Sequence, residues 1–435
     1  MQHSSRARAA TGALGAALCT AVYWRLARPY RPSLLQGDLA FSSVRSRGSS
    51  VAPNAVSPVT GLRRGPFPVG VTTLQLDDHR RQDPEGGARS LQTEIWYPAT
   101  DESVDMPRNR YSDFLGRGTI AGSIEAAEAA DAIGGYRPGL TIAELDETWP
   151  NEAARDARVR EPPSSAGMAG WPVVVFSHGS GAFRASYIFF TEYLASQGYV
   201  VVACDHPGSA RYTQVNGRVV KPGGARSERQ RMEAERPEDI VFLIDALARM
   251  AQGADSRFTG RVDTSRVAVT GMSFGGWTAA AVLEKRDPRI RAAVLQCPSL
   301  MSAGGRLPEE RGNRQTPVML MLGTEDTVIG ELGNALGRRY VETHEGPSCL
   351  VEIKAAGHVS FTSCELYNSE YGNGIGTSKS LTKPGSTYTP LPPAEQHAII
   401  NSYALAFLDT HLRGGEPKYL QENHFGDKIL HKYKP

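Results

Sequence analysis

Short apolar runs alternate with longer helix-like segments between residues 171 and 414. The runs predict six strands, at 171–177, 199–205, 266–271, 292–297, 317–322 and 349–355. Helices are predicted at 186–198, 236–252, 276–286, 331–344 and 393–414. Two earlier strand-like runs, 67–76 and 91–99, can pair antiparallel and precede the alternation. Continuous apolar strands separated by helices are typical of a parallel sheet covered on both faces, so the pattern predicts an α/β fold with an eight-stranded, mostly parallel sheet.

The first 66 residues lack this pattern. Residues 1–36 carry several arginines and no acidic residue, and a short apolar run lies between two of the arginines. This run is shorter than the ~20 residues that span a bilayer. We predict a targeting or anchor segment, which leaves a secretory signal, a transit peptide and a short membrane anchor open. Residues 37–66 are rich in Ser, Arg, Pro and Gly and are predicted to be a disordered linker.

The remaining chain is predicted to be one α/β domain over 67–414, followed by a C-terminal tail over 415–435. A long excursion at 101–168 separates the leading strands from the alternating pattern and contains helical candidates at 123–133 and 141–149. It is predicted to be an inserted helical segment. The sequence leaves open whether this segment caps a site or decorates the surface.

Composition excludes some classes of protein. The 435 residues are 40% hydrophobic and 22% charged with a formal net charge of +2, which is ordinary for a soluble globular protein. No basic stripe with interleaved aromatic residues suggests nucleic-acid binding. The five cysteines are widely spaced and follow no zinc-binding pattern, so neither a metal nor a cofactor is predicted. A single disulfide between Cys349 and Cys364 stays open.

The segment VAVTGMSFGGWTAA, residues 267–280, contains the first chemical signal. An apolar strand leads into Gly271-Met-Ser273-Phe-Gly275, and a run of small residues that can form a helix follows. In a G-x-S-x-G elbow the serine lies in a strained turn between a strand and a helix. Small residues two positions before and after it let the two backbones pass closely. The pattern predicts Ser273 as a nucleophile.

A serine nucleophile needs a base and an acid, which follow it along the chain as acid and then histidine in this arrangement. His358 is the one later histidine that lies in a loop directly after a predicted strand. It is therefore the predicted base. Asp326, shortly after the strand at 317–322, is the predicted acid, and the neighbouring Glu325 is its main rival.

Two backbone N–H groups are expected to bind the oxyanion of the tetrahedral intermediate. One belongs to Phe274, the residue after the nucleophile. The other is assigned to Ser180 in the loop FSHGSGAFR after the strand at 171–177, because flanking glycines let this loop approach a substrate closely. His178 in the same loop is interpreted as a structural histidine.

Several segments together resemble the platelet-activating factor acetylhydrolase family of α/β-hydrolases, with bacterial dienelactone-hydrolase-like relatives sharing the pattern. They are FSHGSGAFRASY, LASQGYVVVACDHPGSA, GMSFGG and AAGHVSFT, with PFPVG and EIWYPA near the start, and the resemblance covers about residues 65–412. It implies an α/β-hydrolase fold, the same nucleophile, base and oxyanion donors, and calcium-independent hydrolysis of short or oxidised sn-2 acyl chains from phospholipids. Two positions depart from the family: Gln296 stands where the animal plasma enzymes carry the acid, and Met272 where a histidine is common.

The sequence thus predicts a serine esterase for short-chain acyl esters with a Ser-His-Asp triad, similar to a platelet-activating factor acetylhydrolase. The alternatives are a general carboxylesterase without lipid preference and a hydrolase-fold binding protein that lacks catalysis. The expected partners are a small ester or phospholipid and a lipid surface, with no nucleic acid and an open oligomeric state. The N-terminal segment favours a secreted, membrane-anchored or organellar protein over a plain cytosolic one.

Overall fold

A computed structural model describes most of the chain after residue 63. The described residues are 64–83, 86–115, 141–148, 151–163, 169–215, 218–220, 222–223, 226–301, 315–364 and 371–435. The predictions for residues 1–36, for nearly all of the linker 37–66 and for the helix at 123–133 lie outside them.

Six parallel strands form the centre of the sheet, as the apolar runs predict. They are β4 (Trp171–Ser177), β5 (Val200–Cys204), β8 (Val262–Met272), β9 (Ile290–Gln296), β10 (Val318–Gly323) and β11 (Ser348–Ile353). Neighbouring strands in the order β5-β4-β8-β9-β10-β11 pair in parallel. Nearly every residue of these strands is buried, which explains why they read as continuous apolar runs.

Antiparallel strands extend the sheet on both sides. The leading strands β1 (Val69–Gln82) and β2 (Ala88–Pro98) pair with each other, and β2 pairs antiparallel with β5. The two-residue strand β3 (Ala154–Arg155) lies parallel to β1, and β14 (Ile429–Lys434) lies antiparallel to β11. The described residues therefore form a ten-stranded sheet in the order β14-β11-β10-β9-β8-β4-β5-β2-β1-β3.

The ten strands correct the predicted count of eight. Strand β3 has two residues, too few to produce a sequence pattern. Strand β14 lies in the segment predicted as the tail 415–435, and its side chains alternate between the protein and solvent because only one face is covered. Two small hairpins lie apart from the sheet: β6 (Thr213–Val215) with β7 (Arg218–Val220), and β12 (Ser378–Lys379) with β13 (Thr387–Tyr388).

The described residues contain six α-helices. They are α1 (Ile142–Thr148), α2 (Ile188–Ser196), α3 (Arg226–Arg249), α4 (Phe274–Leu283), α5 (Gly330–Glu342) and α6 (Pro393–Arg413). Five of them, α2 to α6, cover the two faces of the sheet. Apolar residues of α2 and α6 belong to one large buried cluster, and those of α3, α4 and α5 belong to a second cluster on the opposite face. None of the helices in the described residues is long and apolar enough to cross a membrane.

The described parts of the excursion 101–168 pack against the domain. Tyr111 and Phe114 are fully buried in the cluster with α2 and α6. The Phe114 carbonyl accepts a hydrogen bond from the Arg184 guanidinium, and the Leu115 carbonyl accepts one from the Tyr212 hydroxyl at 2.8 Å. Helix α1 lies where the sequence predicts the second helix of this excursion.

Candidate active site

Ser273 lies in a sharp turn between β8 and α4. Its backbone has φ 57° and ψ −117°, a conformation that costs a non-glycine residue roughly 1–3 kcal/mol and that clusters at functional sites. The residue is 8% exposed, so its hydroxyl is near the surface of an otherwise buried turn. The predicted elbow geometry is present.

Two glycines permit this turn. A Cβ on Gly275 would overlap the carbonyl oxygen of Ser177 at the end of β4, and a Cβ on Gly271 would overlap the backbone of Gly275. Strands β4 and β8 and the start of α4 therefore approach more closely than any side chain allows. This close approach brings the loop after β4 beside the serine.

Asp326 and His358 lie in the loops after the adjacent strands β10 and β11. The Asp326 Oδ2 and His358 Nδ1 atoms are 2.6 Å apart, and Asp326 is fully buried. The other carboxylate oxygen, Oδ1, accepts hydrogen bonds from the backbone N–H groups of Val328 and Ile329, each at 2.9 Å. The pairing places a proton on Nδ1 and leaves Nε2 as the acceptor nitrogen, which is the tautomer that a general base needs.

Cys297 lies beside this pair. The Ser273 N–H donates to the Gln296 carbonyl at 2.8 Å, and the next residue, Cys297, has its Sγ within 4.8 Å of the facing atoms of Asp326 and His358. Burial, together with the Asp326 carboxylate, raises the pKa of the Cys297 thiol well above its ordinary value. The thiol is therefore neutral and faces the carboxylate.

The Ser273 hydroxyl makes no hydrogen bond within the described residues, so the structure joins His358 to Asp326 but does not join Ser273 to His358. Such contacts are often long in free enzymes and tighten when substrate binds. The three side chains nevertheless belong to the ends of neighbouring strands, because β8 pairs with β9, β9 with β10 and β10 with β11.

Glu325, the rival acid, holds a different segment. Its carboxylate accepts hydrogen bonds from the Leu381 N–H at 2.5 Å and from the Ser380 hydroxyl, and it also contacts Thr382. Burial alone would raise the pKa of Glu325, but these donors hold it below its ordinary value. The carboxylate therefore anchors the β12–β13 hairpin, while Asp326 contacts the histidine.

The loop after β4 presents one free N–H group where the sequence predicts an oxyanion donor. The Gly179 N–H donates to the Tyr187 hydroxyl at 2.9 Å, and the Gly181 N–H donates to the Ser209 carbonyl at 3.1 Å. Within the described part of the chain, the Ser180 N–H between them has no acceptor, and neither has the N–H of Phe274. These are the two donors that the sequence assigns to the oxyanion hole.

Asn373 is a site residue that the sequence analysis missed. Its Oδ1 accepts hydrogen bonds from the His358 N–H at 3.0 Å and from the Thr327 N–H at 3.2 Å, and its carbonyl accepts one from Val359 at 2.9 Å. It thereby joins the loops of Asp326 and His358. The only sequence signal is the segment YGNGIGT, whose alternating glycines indicate a loop with left-handed residues; Asn373 itself has φ 51°.

Cys297, Asp326 and His358 are the one group of three metal-ligating side chains within the described residues. Zinc accepts such a donor set. However, Nδ1 and Oδ2 are joined by the hydrogen bond that orients the histidine. We assign no ion here, and metal independence stays a prediction. Cys349 and Cys364 are free thiols, so the disulfide left open by the sequence is not formed.

The sheet, its two helical layers and the elbow turn define an α/β-hydrolase. A solved structure with this fold, a ferulic acid esterase from Streptomyces cinnamoneus, matches with a TM-score of 0.62 and 24% sequence identity, over 84% of this chain and 96% of that one. Residues 171–305 also match the family model of the S33 serine aminopeptidases. The fold predicted from the sequence is confirmed.

The chain is similar to platelet-activating factor acetylhydrolases, which confirms the resemblance found in the sequence. Residues 58–233 match the family model described as platelet-activating factor acetylhydrolase, isoform II. The chicken (Gallus gallus) enzyme of that name is 26% identical over 56% of this chain and 62% of its own length. The cattle (Bos taurus) enzyme is 26% identical over 53% of each chain. The chain thus spans about half to three-fifths of the length of these two relatives.

Proposed function

We propose that this protein is a serine esterase in which Ser273 is the nucleophile, His358 the general base and Asp326 the orienting acid. The observation that carries the proposal is the 2.6 Å hydrogen bond between Asp326 and His358 at the edge of the sheet where the elbow serine lies. A histidine with Nδ1 occupied in this way can accept a proton only at Nε2. That is the atom which must take the Ser273 hydroxyl proton.

The proposed reaction has two steps. Ser273 Oγ attacks the ester carbonyl carbon while its proton passes to His358 Nε2, and the carbonyl oxygen becomes an oxyanion. The free N–H groups of Ser180 and Phe274 bind this oxyanion. Loss of one such donor typically lowers turnover by about 10²–10³-fold. His358 then protonates the departing alcohol. Water attacks the acyl-enzyme in the same way and releases the acid.

The substrate class that we propose is a short-chain acyl ester, and the similarity to the chicken and cattle platelet-activating factor acetylhydrolases favours a phospholipid with a short acyl chain. A general carboxylesterase without lipid preference is the second candidate within the same chemistry. Catalytic silence is less well supported, because all three side chains and two free N–H donors are present together.

Ser273→Ala tests the nucleophile. The variant should lose at least ~10⁴-fold in turnover of p-nitrophenyl acetate and should no longer react with a fluorophosphonate probe, while its melting temperature stays near that of the wild type. Ser265→Ala, at the exposed start of the same strand, is the matched control. A Ser273→Ala variant with more than a tenth of wild-type activity would rule out the assignment.

The wild-type protein tests the substrate. Rates on p-nitrophenyl esters of increasing acyl length should be compared with rates on phosphatidylcholines that carry an acetyl or a long sn-2 chain. We expect a preference for the acetyl phospholipid over its long-chain counterpart. Equal rates on simple esters with none on phospholipids would favour the general carboxylesterase.

A further inference from the structure

A second Ser-His-Asp hydrogen-bonded chain lies in the core beside the proposed oxyanion hole. Ser177 ends β4, His206 follows β5, and Asp239 lies on α3. His206 Nδ1 is 2.8 Å from Asp239 Oδ2, and His206 Nε2 is 2.9 Å from Ser177 Oγ. The exposed fraction of all three residues is 1% or less. No substrate reaches Ser177, so this serine does not act as a second nucleophile.

The proton positions in this chain are fixed. Asp239 is paired with the Arg89 guanidinium at 2.7 Å and 2.8 Å and accepts the His206 Nδ1–H. His206 Nε2 therefore accepts the Ser177 hydroxyl hydrogen, and the Ser177 oxygen is left with lone pairs for another donor. Burial lowers the pKa of His206 to about 3, which agrees with a neutral ring.

That donor is Arg236, one turn before Asp239 on α3. Its guanidinium donates to Ser177 Oγ at 3.0 Å, to Ser209 Oγ at 3.1 Å and to the His178 carbonyl oxygen. Arg236 is fully buried, yet within the described residues no carboxylate lies at ion-pair distance from it. Burying a cation without such a partner is costly, so its retention calls for another explanation.

Arg236 contacts both segments that supply the proposed oxyanion donors. The His178 carbonyl belongs to the loop that carries Ser180. On the other side, the Arg236 Cζ atom lies 4.3 Å from the centre of the Phe274 ring. Guanidinium contacts with aromatic faces are favourable, more so when both groups are desolvated. One buried side chain thus contacts both the loop of Ser180 and the Phe274 ring, whose face also lies 3.4 Å from the Arg229 Cζ atom.

His178 and His206 also hold the loop that carries Ser180. The His206 backbone N–H donates to His178 Nε2 at 3.1 Å, so the ring proton of His178 is on Nδ1. Nδ1 is 2.7 Å from the Gly179 carbonyl oxygen and donates to it. The His178 ring, oriented by the His206 backbone N–H, therefore holds the peptide group that contains the Ser180 N–H.

We propose that Arg236 is a positioning residue for the oxyanion hole and is itself held in place by the chain Ser177–His206–Asp239. The inference rests on the proposed esterase function. Preorganised donors stabilise the charge that develops in the transition state, and they stabilise the bound substrate in the ground state much less. Loss of Arg236 should therefore lower kcat and leave KM nearly unchanged.

Arg236→Met and Arg236→Lys test this proposal, with Arg249→Met, an exposed position on the same helix, as the matched control. The assays are kcat and KM on p-nitrophenyl acetate, melting temperature, and the inhibition constant of a trifluoromethyl ketone. This inhibitor adds covalently to the serine: the Ser273 Oγ–carbon bond forms, the hydroxyl proton passes to His358, and the ketone oxygen becomes an oxyanion. Its affinity therefore reports the oxyanion hole separately from ester binding.

We expect Arg236→Met to lower kcat by about 10²-fold and to weaken the ketone by a similar factor, with KM within about threefold. Arg236→Lys keeps a charge but not the forked donors, and it should give a smaller loss in both quantities. Ser177→Ala removes one hydrogen bond to Arg236 and keeps the Arg236 charge, and it should lower kcat roughly tenfold. It replaces Arg236→Met as the test if that variant does not fold.

Unchanged ketone affinity in folded Arg236 and Ser177 variants would overturn the proposal, as would an effect confined to KM. A failure of the proposed function is distinguishable, because it would appear in the wild type as absent ester hydrolysis and no labelling of Ser273 by a fluorophosphonate.

Discussion

Replacing Asp326 by asparagine would change the tautomer of His358 while keeping the shape of the site. Asp326 Oδ1 accepts two backbone N–H groups, from Val328 and Ile329, and only the carbonyl oxygen of an asparagine can do the same. The new NH₂ group would therefore face His358 Nδ1, where Oδ2 now lies 2.6 Å away. A donor there requires a lone pair on Nδ1, so the proton moves to Nε2.

The expected loss is large because this tautomer cannot accept the serine proton. An aspartate-to-asparagine change in a related triad lowers kcat about 10⁴-fold, which corresponds to about 5 kcal/mol at 1.36 kcal/mol for each factor of ten. KM should change little, because the substrate does not contact the buried carboxylate. The melting temperature should stay close to that of the wild type, since the shape and the two backbone hydrogen bonds are retained.

The assay is kcat on p-nitrophenyl acetate, with Glu325→Gln as the matched control. The same amide change at the neighbouring residue affects the hairpin that contains Ser380 and Leu381 and not the histidine. We expect it to lower the melting temperature and to cost less than tenfold in kcat. Equal small losses in both variants, or a larger loss at Glu325, would refute the assignment of Asp326.

Three further outcomes follow from the structure. Asn373→Ala should lower kcat by about 10–100-fold with the nucleophile still reactive to a fluorophosphonate, because the loops of Asp326 and His358 lose their shared acceptor; a rate within twofold of the wild type would contradict this. Burial, and next the Glu152 carboxylate, raise the pKa of Glu192 from 4.5 to about 8. Protonated Glu192 thus contributes stability below pH 4.5, and that contribution is lost as the pH rises through 8. The melting temperature of Glu192→Gln should therefore rise relative to that of the wild type between these two pH values. A protein that starts at residue 62 should fold and hydrolyse esters at the full rate, and an inactive or unfolded product would show that the preceding residues are needed.

The central part of the fold could be predicted because its strands are buried on both faces. Strand β4 has the predicted limits 171–177, and the other parallel strands differ from prediction by a few residues at their ends. Strand β14 shows only weak alternation and depends on its pairing with β11. Helix α3 begins ten residues before its predicted start, since the prediction placed a helix start near Pro237, and the helix continues through that proline.

The proposed triad could be predicted from the order of motifs, because each of its residues directly follows a strand or lies close behind one. Asn373 and Arg236 could not be predicted in this way. Their roles depend on contacts with His358, Thr327 and His178, which are 15, 46 and 58 positions away along the chain. Local patterns hold no information on such contacts, and an arginine in a charged helix segment reads as a solvated residue until the fold buries it.

Strand β14 is the last strand of the sheet to be synthesised, and this delays completion of the sheet edge beside β11. It pairs along the whole of β11, from Ser348 to Ile353, the strand that leads into the His358 loop. On the ribosome, β11 is complete long before Ile429–Lys434 has been made, and until then the backbone N–H and C=O groups on one edge of β11 have no partner strand. An unpaired strand edge can pair with strands of other chains. The nascent polypeptide therefore passes through an interval in which chaperone protection of this edge matters most, and the interval closes only when β14 docks.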